Sequence, residues 1–156
     1  MKVAPHVRLA ELGLDLPPVS PPKGSYVPAV RSGRLVYVSG QIPMTGGELI
    51  TSGKVGSDVT PERAKELCRM CALASLAAID AVAGLDGLVR IVKVVGFVAS
   101  AEGFTDQPYV VDGASDLFVE VLGDAGRHAR SAVGVADLPL DSPVEVEVIA
   151  ELTSGS

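Results

Sequence analysis

The sequence contains no tryptophan, and only 4% of its 156 residues are aromatic. Proteins that bind single-stranded nucleic acid stack bases on aromatic side chains along a basic groove, and this composition offers few such platforms. Basic residues are also in the minority, with 13 lysines and arginines against 19 acidic residues and a net charge of -6. A negatively charged chain repels the phosphate backbone. The sequence therefore predicts no nucleic-acid partner.

Long hydrophobic runs, cysteines and histidines are scarce as well. No stretch approaches the roughly 18 uninterrupted apolar residues of a membrane span, and residues 1–8 lack the apolar core of a signal peptide. We therefore expect a cytoplasmic protein with no membrane partner. Cys68 and Cys71 have Cys-x-x-Cys spacing, but they lie inside a predicted helix rather than at its start, which favours burial over redox chemistry. His6 and His128 do not complete a zinc site, so we predict no metal and no organic cofactor.

Hydrophobic residues make up 47% of the chain, which is enough for the core of one domain. The proline-rich residues 1–23 are expected to form an arm with one or two helical turns, and residues 24–156 the domain itself. The order of elements predicts an α+β fold, with a single sheet and two helices packed on one face. The predicted strands cover residues 26–30, 35–39, 88–100, 131–136 and 144–148, and the predicted helices begin at Pro61 and Pro108 and end near Val82 and Gly123.

Arg130 precedes a predicted strand of small residues. An arginine in this position can present its planar fork to a carboxylate, while Ala132 and Gly134 leave room for a compact ligand. The alternative interpretation is a solvated arginine at the end of a strand.

Residues 129–147 resemble the RidA/YjgF family, also described as L-PSP-like proteins. The hallmark of this family is an arginine and a serine that lead a strand, then Leu-Pro, then a Val-Glu-x-Glu strand. Residues 39–43 resemble the family's Ser-Gly-Gln-x-Pro segment, and residues 24–26 its Gly-Pro-Tyr. The resemblance covers about residues 24–152. The residues that fit the hallmark are Arg130, Ser131, Val133, Val135, Leu138, Pro139, Asp141, Val144, Glu145 and Glu147.

The resemblance implies a chorismate-mutase-like fold with a mixed sheet and a homotrimer with a pocket in each cleft between neighbouring subunits. It also implies cofactor-free hydrolysis of reactive enamines and imines, such as 2-aminoacrylate, to a 2-ketoacid and ammonia. Arg130 would hold the substrate carboxylate, Glu145 would orient the attacking water and take its proton, and the Ala132 carbonyl would accept a hydrogen bond from the substrate nitrogen. The pocket walls would include Tyr26, Ser39 and Gly40.

Asp112 lies in the second predicted helix, near where the family often has asparagine. A carboxylate there repels an anionic substrate, so a second function stays open: a trimeric module that binds a small carboxylate without turnover. Endoribonuclease activity, a label used in this family, ranks third because of the acidic balance. The expected partners are therefore a small carboxylate-bearing imine or ketoacid and other copies of this chain.

Overall fold

A computed structural model describes residues 2–154. The predicted strands and helices form in the expected order, joined by a short amino-terminal helix and a small hairpin. The elements are α1 (Pro5–Glu11), β1 (Ala29–Ser32), β2 (Leu35–Gln41), β3 (Met44–Thr45), β4 (Glu48–Leu49), α2 (Pro61–Ala83), β5 (Leu88–Ala99), α3 (Gln107–Leu122), β6 (Ala129–Val135) and β7 (Val144–Leu152).

The main sheet has five strands in the order β1-β2-β7-β5-β6. Neighbouring strands are antiparallel except for β5 and β6, which run parallel. A parallel pair needs a crossover connection, and α3 provides it. The predicted α+β fold with one mixed sheet is therefore confirmed, while β3 and β4 pair separately as a small hairpin.

Both long helices pack on the same face of the sheet. The Thr60 hydroxyl accepts a hydrogen bond from the Arg63 backbone amide at 3.1 Å and caps the start of α2, where Pro61 is the first helical residue. The helix ends at Gly84, whose positive φ of 75° favours glycine. In β7, buried and less buried residues alternate along the strand. The buried set, which faces the helices, consists of Val144, Val146, Val148, Ala150 and Leu152.

The two long helices approach each other closely at Gly113. A Cβ atom at this position would overlap the backbone carbonyl of Lys65 in α2. Only glycine therefore allows α3 to lie this close to α2 without displacing the backbone.

The amino-terminal arm is attached to the body through α1. Leu9 is buried in the core, and the Arg8 side chain donates a hydrogen bond to the Glu120 carbonyl at 2.9 Å. The chain then runs without regular structure from about residue 14 to β1. This segment crosses from the helices to the edge of the sheet, so it can cover one end of strand β2.

The other face of the sheet carries no helix within residues 2–154. Val30, Tyr37 and Val133 are exposed large hydrophobic residues on this open face. None of the helices within residues 2–154 has both the length and the apolar character of a membrane-spanning helix.

Candidate functional site

Arg130 lies in β6 with its side chain turned toward α3. Its Nη1 donates hydrogen bonds to Asp112 Oδ1 at 2.7 Å and to Ser115 Oγ at 3.2 Å. The side chain of Arg130 is 24% exposed and that of Asp112 43% exposed. The guanidinium is thus held by one charged and one neutral partner at the edge of the protein.

His128 extends this contact into a short hydrogen-bonded chain. Its Nδ1 lies 2.6 Å from the Gly126 carbonyl oxygen, and its Nε2 lies 2.9 Å from Ser115 Oγ. A carbonyl only accepts, so Nδ1 carries the proton and Nε2 accepts from the Ser115 hydroxyl. Burial is the main cause that lowers the pKa of His128, and the charge of Arg130 lowers it further. Neutral His128 therefore orients the Ser115 oxygen so that it accepts from Arg130.

Glu145 lies on the open face of the sheet. It alternates in β7 with Val144 and Val146, which are buried beneath the helices. A β-bulge at residues 39–40 of β2 brings Gly40 beside it, where an added Cβ would meet the Glu145 Cδ at 2.8 Å. Burial is the main cause that raises the pKa of Glu145, and the negative charge of Glu147 adds to it. A carboxylate with a raised pKa is suited to accept a proton near neutral pH.

A cavity of about 260 Å³ adjoins Glu145. The bulge and the start of the hairpin form its base, and arm residues 20–23 and Leu140 form other parts of its wall. Most of the cavity wall is apolar, and Glu145 contributes an acidic side chain to it. The lining includes Tyr26, Gly40, Ile42, Met44, Leu140 and Glu145.

The site residues predicted from the sequence fall into two groups. Arg130 and Asp112 are in contact, and Ala132 follows on the same face of β6. Tyr26, Gly40 and Glu145 line the cavity. Ser39 lies behind this second group, where its hydroxyl donates to the Val27 carbonyl at 2.7 Å and holds the segment that carries Tyr26.

A single chain does not bring the two groups together. Arg130 is level with Val94 of β5, whereas Glu145 is level with Phe97 of the same strand. Two strand spacings across and three residues along separate their Cα atoms by about 14 Å. The two side chains also point to opposite faces of the sheet, so neither can reach a ligand held by the other.

Metal binding and thiol redox chemistry both lack a suitable site within residues 2–154. No group of three histidine, cysteine, aspartate or glutamate side chains within residues 2–154 is arranged to hold a metal ion. Cys68 and Cys71 are free and fully buried, and burial raises the pKa of both thiols. Both therefore behave as small core side chains.

The chain matches a known protein family over most of its length. A family model described as "YjgF/chorismate_mutase-like, putative endoribonuclease" matches residues 6–152. The chain belongs to this family. It is 42% identical to protein TCP17 of Trypanosoma cruzi over 148 residues, which are 94% of this chain and 92% of that protein.

Solved structures of family members share the fold. Protein Atu1372 of Agrobacterium tumefaciens, whose function is unknown, superposes with a TM-score of 0.89 at 43% identity and covers 96% of this chain and 93% of its own. TdcF of E. coli, solved with bound serine, has a TM-score of 0.63 at 28% identity and covers 88% of this chain and 94% of its own. The RidA/YjgF resemblance inferred from the motifs is therefore confirmed.

Sequence reasoning missed several residues of the candidate site. Ser115 and His128 meet only because α3 folds back against the start of β6. The part of the cavity wall that Leu140 forms was not predicted either. None of these positions carries a local motif, so only the tertiary structure reveals them.

Proposed function

We propose that the protein hydrolyses reactive enamines and imines that carry a carboxylate, giving a 2-ketoacid and ammonia. The observation that carries this proposal is Glu145, a half-buried carboxylate with a raised pKa beside a cavity of about 260 Å³. Family membership supports it, and so does TdcF, a relative solved with a small amino acid bound. Arg130 is the group that recognises the substrate carboxylate.

The reaction needs positioning and one proton acceptor rather than a cofactor. An enamine first takes a proton from solvent on its terminal carbon and becomes the protonated imine. Water then adds through its oxygen to the imine carbon, the C=N electron pair passes to nitrogen, and Glu145 accepts one proton from the water. Glu145 returns this proton to the nitrogen of the resulting carbinolamine, and the C–N bond breaks with its electron pair on nitrogen while the hydroxyl group gives its proton to Glu145. Ammonia leaves, the carbon keeps the oxygen as a ketoacid, and Glu145 releases the last proton to solvent.

The complete site is proposed to form between copies of the chain in a homotrimer. Because Arg130 and Glu145 point to opposite faces of one sheet, one copy would supply the arginine and its neighbour the glutamate. The exposed hydrophobic residues of the open face, including Tyr37 and Val133, are suited to such an interface. Light scattering at micromolar concentration tests this arrangement: a trimer mass supports it, and a monomer mass refutes it.

The activity is tested with imines generated in solution by an amino-acid oxidase, whose decay is followed with and without the protein. We expect faster decay with the wild type and a loss of about ten-fold or more in kcat/KM for Arg130→Ala, since a hydrogen-bonded charge is removed. Arg130→Lys should restore little, because an ammonium cannot bind both carboxylate oxygens in the same plane. Glu145→Gln should reduce kcat.

Arg127→Ala is the matched control for loss of positive charge. Arg127 lies three residues before Arg130 and is exposed, and its side chain pairs with Asp124 at 3.4 Å. We expect its rate to equal that of the wild type. Equal decay rates for the wild type and Arg130→Ala would refute the proposed mechanism.

A second candidate is a trimeric module that binds a small carboxylate without turnover. The observation that favours it is the Asp112 carboxylate, which already occupies Nη1 of Arg130. Calorimetry with 2-oxobutyrate and with serine would then show saturable binding that is lost in Arg130→Ala, while imine decay stays at the uncatalysed rate. Endoribonuclease activity ranks below both because the chain carries a net charge of -6.

A further inference from the structure

The cavity beside Glu145 is larger and more apolar than a three-carbon imine requires. Its volume is about 260 Å³, and prolines, Ile42, Met44 and Leu140 form much of its surface. A substrate as small as 2-aminoacrylate would leave most of these apolar walls without a partner. An aliphatic or thioether side chain would fill them and gain free energy from burial.

Leu140 is held against this cavity in a strained backbone conformation. Its φ is 59° and that of Asp141 is 61°, which places both in the left-handed region that a leucine rarely adopts. Neighbouring backbone bonds fix the turn: the Gly53 amide donates to the Asp141 carbonyl at 2.9 Å, and the Ser142 amide donates to the Pro139 carbonyl at 3.1 Å. The strain is thus maintained by the surrounding structure.

Core packing does not explain this strain, because the side chain of Leu140 is not buried. Leu140 is 56% exposed and lines the cavity. Burial of an apolar side chain therefore offsets little of the cost of its backbone conformation. Strained residues of this kind concentrate at ligand sites. We therefore expect the side chain of Leu140 to contact a bound ligand.

Another part of the cavity wall comes from the arm of the same chain. Pro21 and Pro22 restrict this segment to an extended conformation, and Lys23 follows them at the cavity. The segment is fixed at its start by α1, which packs through Leu9, and at its end by β1. The residues that line the cavity therefore all belong to one chain.

We propose that this cavity is a side-chain subsite that makes the protein prefer imines derived from amino acids with larger apolar side chains, and that Leu140 determines this preference. The inference rests on the proposed hydrolysis and names its substrate class. The ketoacid released would carry the same apolar side chain. Such imines are the products of enzymes that oxidise the corresponding amino acids at the Cα–N bond.

The test compares kcat/KM for imines generated from leucine, methionine and alanine. Each additional buried methylene changes kcat/KM by about four-fold, so the leucine imine should exceed the alanine imine by at least ten-fold. In Leu140→Asn, asparagine tolerates the left-handed backbone but presents an amide to the cavity, and the ratio should fall at least four-fold. Leu140→Gly, which removes the side chain without strain, should lower it in the same direction. Thermal unfolding checks that both variants fold.

Val82→Asn is the matched control, since Val82 is an exposed apolar residue near the end of α2, outside the cavity. It should leave the ratio unchanged. If all three imines are hydrolysed with similar kcat/KM, or if Leu140→Asn leaves the ratio unchanged, the subsite is refuted while the hydrolysis stands. If no imine is hydrolysed faster than in buffer, the proposed function itself fails and the subsite fails with it.

Discussion

Asp112→Asn should strengthen the recognition of an anionic substrate by Arg130. In the structure the Asp112 carboxylate accepts from Arg130 Nη1 at 2.7 Å and neutralises the guanidinium that is proposed to hold the substrate carboxylate. Asparagine keeps an oxygen that can accept the same hydrogen bond, so the arginine stays oriented. Only the competing negative charge is removed.

The size of the effect follows from the exposure of the pair. The side chains of Arg130 and Asp112 are 24% and 43% exposed, so solvent screens their attraction and the pair contributes at most about 1 kcal/mol. When Asp112 no longer neutralises Arg130, the substrate carboxylate gains this attraction, and its affinity for the protein increases by up to about five-fold. We therefore expect KM for a carboxylate-bearing imine to fall about two- to five-fold. The gain should shrink as salt is added, because screening shortens the range of both interactions.

The assay is steady-state imine hydrolysis at low and high salt, with Asp116→Asn as the control. Asp116 lies one turn further along α3, is 60% exposed and has Lys65 at 4.0 Å, so its substitution changes the net charge equally. It should leave KM near the wild-type value. An unchanged or higher KM in Asp112→Asn refutes the reasoning. An equal fall in both variants would mean that net charge, rather than the contact with Arg130, controls substrate recognition.

Three further outcomes are expected. Because the pKa of Glu145 is raised and its ionised form accepts the proton, kcat should rise with pH through a value above that of an ordinary carboxyl group, and Glu145→Gln should abolish this dependence in a pH-rate profile. Gly113→Ala should force α3 away from the Lys65 carbonyl and lower the free energy of unfolding by about 1–3 kcal/mol, measured by urea denaturation at fixed protein concentration; an unchanged midpoint would contradict the packing described. Cys68 and Cys71 should react with a thiol reagent only after unfolding, because burial raises both pKa values; rapid labelling of the native protein would argue against their place in the core.

The order of the elements could be predicted because its signals are local. The hydroxyl, proline and acid at Thr60, Pro61 and Glu62 mark the start of α2, and the β-branched run of β5 indicates an interior strand of the sheet, although only one of its faces is covered by helices. Arg130 and Glu145 could be singled out because they lie in a motif shared with a family. Their separation onto opposite faces of the sheet could not be predicted, since it depends on strand order and register.

The contacts that no local pattern encodes came only from the structure. Ser115 and His128 are 13 positions apart and meet through the turn between α3 and β6. In the sequence, Leu140 looks like an ordinary turn residue. When a turn contains no glycine, its sequence does not show which residue adopts a positive φ. The docking of α1 through Leu9 likewise depends on a surface formed by distant elements.

The amino-terminal arm reaches the cavity as irregular chain, fixed at one end by α1 and at the other by β1. Residues 20–23, which line the cavity, belong to no strand and no helix, so their replacement would leave the strand pairing and the long helices in place. Glu145, by contrast, is held in position by β7 of the main sheet. Family members can therefore change which substrates they accept through substitutions in this short segment of the arm, while Glu145 stays in place. The same substitutions offer a route to re-engineer substrate selectivity.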